Sequence, residues 1–132
     1  MKKKLLSVLL IDDDEEDNYF HQIIIGEMNI TAYIKVTLSG FEALDFLKNE
    51  KNLKPDLLLL DINMPKMNGW EFLEQHDKLK KEQKAKLIVV MQSKIKGCED
   101  DEQAALFSRN IDFICKPLTE KSLLEILEGH FS

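Results

Sequence analysis

The sequence predicts an open, doubly wound α/β domain built on a five-stranded parallel sheet. Short apolar runs of strand length alternate with stretches of helical period, the mark of βα units. Two runs, Leu57-Leu58-Leu59-Leu60 and Leu87-Ile88-Val89-Val90, are continuously apolar, as strands covered on both faces must be. No Pro/Gly/Ser linker, repeat or low-complexity stretch interrupts the 132 residues, so a single domain over 1–132 with no output domain is expected.

Taken in chain order, the strands are expected at 5–11, 32–38, 56–60, 87–91 and 111–115. Ile34, Val36 and Leu38 alternate with polar residues, which suits an edge strand. The first helix is marked by Phe20, Ile23 and Ile24, the second by Phe41, Leu44 and Leu47. Trp70, Leu73 and Phe72 mark the third. A fourth, at about 99–108, opens on the acidic run Glu99-Asp100-Asp101-Glu102, which suits a helix N-terminus. Leu123, Leu124, Leu127 and Phe131 mark the last, with Thr119 as its N-cap.

Composition excludes several classes. A net charge of −6 argues against nucleic acid as a direct partner, because phosphate binding needs a basic face. Lys2-Lys3-Lys4 and the apolar run to Ile11 imitate the start of a signal peptide. The run stops at three aspartates with no small-residue cleavage site, and it is too short to span a bilayer. A cytoplasmic protein without membrane contact is expected. The two cysteines, Cys98 and Cys115, form no metal spacing and are expected as free thiols in a reducing compartment.

In doubly wound sheets, ligands bind beyond the carboxyl ends of the strands, where strand order reverses. Asp12, Asp13 and Asp14 follow the first strand, and Asp61 and Asn63 follow the third. Ser93 follows the fourth, and Lys116-Pro117 the fifth. Carboxylates about 4 Å apart repel by roughly 4 kcal/mol at an effective dielectric near 20, so this rim needs positive charge. Lys116 supplies one charge, and a divalent cation would supply the rest. All-oxygen ligation favours Mg²⁺, with Mn²⁺ as the alternative, over zinc. The same set suits phosphoryl transfer to an aspartate nucleophile, with lysine and metal neutralising the phosphoryl oxygens. Singly, each residue has a plainer reading: Asp14 to Asp17 as helix-capping acids, Asp61 as a turn aspartate, Phe113 as core. The joint placement of Asp12, Asp13, Asp61 and Lys116 at one end of the sheet favours the site.

The segment Asp56-Leu57-Leu58-Leu59-Leu60-Asp61-Ile62-Asn63-Met64-Pro65-Lys66-Met67-Asn68-Gly69 resembles the phosphoacceptor segment of response-regulator receiver domains. Asp12-Asp13, Ser93 and Lys116-Pro117 match that family in order and approximate spacing, and Ser39-Gly40-Phe41-Glu42-Ala43-Leu44 resembles its start of helix two, so the resemblance covers essentially the whole chain. It implies a (βα)5 flavodoxin-like fold with strand order 2-1-3-4-5. It also implies that Asp61 accepts a phosphoryl group from a sensor histidine kinase or a histidine phosphotransfer protein. Asp13, Asp61 and the backbone carbonyl of Asn63 would ligate Mg²⁺, with Asp12 acting through water. Lys116 would pair with the phosphoryl oxygens, and its bond to Pro117 would be cis.

In the resemblance, Ser93 and Phe113 form the switch, remodelling a downstream docking face of the fourth helix, fifth strand and fifth helix. The implied protein is a monomer or weak dimer. It is no enzyme beyond Mg²⁺-dependent self-phosphorylation and self-dephosphorylation. Lys94 and Gln92 depart from the family pattern, as does Arg109-Asn110 in place of a glycine before the fifth strand. Lys94 and Gln92 keep in view an alternative, a receiver-fold interaction module indifferent to phosphate. A phosphohydrolase with its nucleophile after the first strand would need a cap domain. A flavin protein would need a hydroxyl-rich loop where this chain has acids. His21, His76 and His130 are scattered, and no catalytic triad is visible; His76 and His130 are expected on helix surfaces.

Overall fold

A computed structural model describes residues 5, 7–31, 33–92 and 111–131. Its elements run β1 (Val8–Ile11), α1 (Glu15–Met28), β2 (Ile34–Thr37), α2 (Gly40–Lys48), β3 (Leu57–Asp61) and α3 (Gly69–Asp77). A 3₁₀ turn (Lys81–Gln83), β4 (Leu87–Gln92), β5 (Ile111–Cys115) and α4 (Glu120–Phe131) follow. The expected fourth helix at 99–108 lies outside the described residues, as do Ser93, Lys94 and Arg109-Asn110.

The sheet is parallel throughout, in the order β2-β1-β3-β4-β5. β2 is an edge strand, and β1, β3 and β4 lie inside the sheet. Successive side chains of a strand point to opposite faces, and this divides the core in two. Val8, Leu10, Leu57, Leu59, Leu87, Val89 and Met91 face Ile24 and Ile25 of α1 and Leu123 and Leu127 of α4. Leu9, Ile11, Leu58, Leu60, Ile88 and Val90 face Ala43, Leu44 and Leu47 of α2 and Phe72 and Leu73 of α3. A one-residue slip of β3 would exchange these two sets, but both faces are apolar.

Local chemistry starts each helix where the sequence places it. Asp14 caps α1, its Oδ1 accepting from the N–H groups of Glu16 and Asp17. Ser39 Oγ accepts from Glu42 N–H at the start of α2. Asn68 and Glu71 form a reciprocal capping box on α3. Thr119 Oγ1 accepts from Ser122 N–H ahead of α4, as expected. No helix among the described residues is long and apolar enough to cross a membrane.

The inward face of α1 differs from the expected one. Phe20 and Ile23 are exposed, whereas Asn18, His21, Ile24 and Ile25 are buried. Aromatic and aliphatic residues occupy several sides of this helix, so periodicity gives no phase, and packing turns polar residues inward. Phe41 of α2 is likewise exposed.

His76 is buried, not on a surface: its Nε2 accepts from Ala85 N–H at 3.1 Å, tying the end of α3 to the approach to β4. Burial, and then the charge of Lys84, lower its pKa from 6.5 to about 4. A histidine held neutral contributes stability that is fully present above pH 6.5 and is lost as pH falls towards 4. The stability difference between the wild type and His76→Gln, which keeps an acceptor, is therefore expected to shift by about 2 kcal/mol against the wild type between pH 7.5 and 5. Urea titrations of both proteins at the two pH values measure it.

Candidate functional site

The turn from β1 into α1 places Asp12 at the carboxyl edge of the sheet. Asp12 N–H donates to Thr37 O, and its Oδ1 accepts from Asp14 N–H at 3.0 Å. Asn18, buried one turn into α1, donates its amide to Asp12 O at 2.8 Å. Asp61 ends β3 beside it, and strand order reverses between these two strands. Beyond Asp61 the chain is held back against the sheet: Ile62 N–H donates to Met91 O, and Gly69 N–H returns to Ile62 O at 2.8 Å. Met64 and Met67 of this loop are buried.

Lys116 arrives from the other side of the sheet. Its backbone N–H donates to Gln92 O at 2.8 Å, and its bond to Pro117 is cis. The Nζ lies 2.9 Å from Asp17, 3.2 Å from Asp61 and 3.3 Å from Asp12. Asp12, Asp13 and Asp61 each offer a carboxylate oxygen within 4.8 Å of the others, with Asp12 and Asp61 buried and Asp13 exposed. This donor set is all oxygen and open on one side, which fits a small hard cation that keeps several waters.

The electrostatics are those of a crowded anionic pocket. Burial raises the Asp12 pKa from 3.8 to about 6; the Asp14 N–H opposes the rise and Asp61 adds to it. Burial also raises Asp61, against the charge and hydrogen bond of Lys116 and the Asn63 N–H. Burial alone would lower Lys116, but the Asp17 hydrogen bond and the fields of Asp12 and Asp61 hold it above the ordinary lysine range. The ammonium thus stays charged and tethers three carboxylates.

The geometry brings together Asp12, Asp13, Asp61 and Lys116, all singled out from sequence. Asn63, two residues beyond Asp61, is exposed. Phe113 is half-buried on β5, its ring 6.3 Å from that of Trp70. Ser93 lies outside the described residues. Asp17 departs from its reading as a capping acid, because it is the closest partner of Lys116. Its partner is 99 residues away, so no local pattern could have shown it. His21 is also new to the site's surroundings, buried in α1 with its pKa lowered by burial and then by Lys116. Cys115, expected as a free thiol, is disulfide-bonded, and its partner lies outside the described residues. Proximity of the Cβ atoms decides such pairing, and sequence spacing does not carry it.

Fold and site together define a doubly wound α/β domain with a lysine-tethered acidic pocket at its switch point. Residues 8–128 match the response regulator receiver domain family, and the chain belongs to it: it is a CheY-like receiver domain of two-component signalling. Chemotaxis protein CheY of Listeria monocytogenes is 34% identical over 94 residues, 71% of this chain and 75% of that protein. A protein-glutamate methylesterase/protein-glutamine glutaminase of Methanospirillum hungatei is 33% identical over 93 residues; the match covers 70% of this chain but 25% of the methylesterase. Among solved structures, a two-component response regulator from Cytophaga hutchinsonii superposes with a TM-score of 0.74 at 30% identity, covering 96% of this chain and 97% of the other. Receiver domains of this kind are generally not enzymes.

Proposed function

We propose that Asp61 accepts a phosphoryl group from a phosphohistidine of a sensor histidine kinase or histidine phosphotransfer protein, and that the phosphorylated domain signals by binding a partner protein. The observation that carries this reading is the pairing of a buried, strand-end carboxylate with an ammonium at 3.2 Å, inside a cluster of two further carboxylates. An Asp61 oxygen attacks phosphorus, the phosphorus–nitrogen bond breaks, and the imidazole leaves with the electron pair. Lys116 holds Asp61 Oδ1 and neutralises charge gathering on the phosphoryl oxygens. Asp13, Asp61 and the Asn63 carbonyl would hold Mg²⁺, with Mn²⁺ as a substitute and Asp12 acting through water. That metal supplies charge neutralisation between the acceptor and the phosphoryl group.

In this reading Ser93 hydrogen-bonds the phosphate and Phe113 follows it inward, altering the face that includes β5 and the last helix. Phe113 is half-buried, with its ring 6.3 Å from that of Trp70. The test is direct. With a small acyl phosphate and Mg²⁺, intact-mass spectrometry is expected to show one added phosphoryl group, absent in Asp61→Asn and absent after chelation. A wild type that stays unmodified, or an adduct that survives in Asp61→Asn, would sink the proposal.

A further inference from the structure

The strongest unassigned feature is the third carboxylate on Lys116. An ammonium has three protons to donate, and the Lys116 Nζ has three carboxylates within 3.3 Å: Asp17, Asp61 and Asp12. Asp12 and Asp61 are buried at the sheet edge, but Asp17 sits on the first turn of α1 with its side chain 40% exposed. Its backbone is fixed by the Asp14 cap, which receives the Asp17 N–H, so the carboxylate is presented to Lys116 from a rigid turn. The 2.9 Å Asp17 contact is the shortest of the three.

This inference rests on Asp61 being the phosphoacceptor. A phosphoryl group there brings anionic oxygens that need donors, while the Lys116 protons are already engaged. One existing bond must give way. The water-exposed pair is the cheapest to break, since solvent can take over both partners. We propose that Asp17 is a positioning residue that holds Lys116 in the unphosphorylated state and competes with the phosphoryl group for its ammonium. Phosphorylation then carries a readout on the first turn of α1, where Asp17 is released to water. The helix surface next to it bears the exposed Tyr19, Phe20 and Ile23.

Beryllium fluoride, a phosphoryl mimic, tests this at saturating Mg²⁺ by titration calorimetry. Asp17→Asn is expected to bind it about 2- to 5-fold more tightly than the wild type, the range that an exposed ion pair spans. Asp17→Glu, which keeps the carboxylate, should return towards wild-type affinity. Glu16→Gln is the control for net charge: it removes one negative charge from the same turn, and Glu16 is exposed and has no contact with Lys116. Equal affinities of Asp17→Asn and Glu16→Gln, or a weaker Asp17→Asn, overturn the inference while leaving the phosphoacceptor reading intact. A wild type that binds no beryllium fluoride overturns both. Asp17→Ala carries the same expectation if the asparagine variant does not fold.

Discussion

Lys116→Met is expected to destabilise the metal-free protein by about 3 kcal/mol at pH 7.5, and Asp12→Asn to stabilise it by about 1–3 kcal/mol. The opposite signs come from one electrostatic arrangement. Lys116 is the cation that offsets Asp12 and Asp61, and both carboxylates are buried. Without it two buried charges lose their counter-charge, a loss that methionine's similar volume does nothing to repair. Asp12, by contrast, already lies on the wrong side of its balance. Its pKa is raised from 3.8 to about 6, so above pH 6 the folded state holds a charge it would rather neutralise. That gap corresponds to about 3 kcal/mol at full ionisation, and asparagine removes it while still able to accept from Asp14 N–H. Both effects must fade in acid. For a carboxyl raised in the folded state, stability is gained as pH falls through about 6 towards 3.8, where the native protein takes up the proton. Urea denaturation of the three proteins in EDTA at pH 7.5 and pH 4.5 should show wide separation at the first and near-convergence at the second. Unchanged separation at pH 4.5 would mean that packing, not charge, carries the differences. In the proposed metal reading, millimolar Mg²⁺ stabilises the wild type more than Asp12→Asn, since a ligand bound only to the folded state adds stability by mass action.

The parts of this molecule that were legible in sequence are those specified locally. The leucine run of β3 and the apolar run of β4 announce strands covered on both faces. Thr119 announces a helix start through a hydrogen bond that reaches only three residues. Asp12, Asp61 and Lys116 could be placed on one rim because strand ends share an edge in any parallel sheet. What escaped depends on distant partners. Asp17 reads as one acid in a capping run until Lys116 is brought to it across the fold. His76 reads as a surface histidine until Ala85 N–H supplies the bond that makes its burial tolerable. The phase of α1 failed for a different reason. With Tyr19, Phe20, Ile23, Ile24 and Ile25 all apolar, the helix has no clear polar face, and Asn18 turns inward because Asp12 O needs its amide.

Gly69→Ala is expected to cost about 3 kcal/mol and to disturb the site, while Gly40→Ala, at the same position of a neighbouring helix, should cost less than about 1 kcal/mol. Each glycine is the first residue of its helix, so helix propensity does not separate them. The surroundings do. A Cβ on Gly69 would stand 2.8 Å from the Cα of Ile62 and 3.1 Å from the carbonyl oxygen of Asp61, with the Ile62 Cδ1 at 2.7 Å. Two of these three are backbone atoms of the residues that carry and follow the phosphoacceptor candidate. They are also held from the other side, because Ile62 N–H is bonded to Met91 O in β4. The helix must therefore back away, stretching the 2.8 Å bond from Gly69 N–H to Ile62 O and loosening the loop that presents Asn63. At Gly40 the nearest atoms are the Met67 Sδ at 2.5 Å, its Cγ at 3.2 Å and the Phe72 Cδ1 at 3.3 Å, all side-chain atoms, and the flexible thioether can shift where backbone cannot. Thermal and urea unfolding of the two variants should differ accordingly. Phosphoryl uptake should fall in Gly69→Ala even at temperatures where it remains folded, because the clash is with the segment that aims Asp61. A folded Gly69→Ala with wild-type uptake would mean that the loop tolerates a wider gap between α3 and β3 than this packing allows.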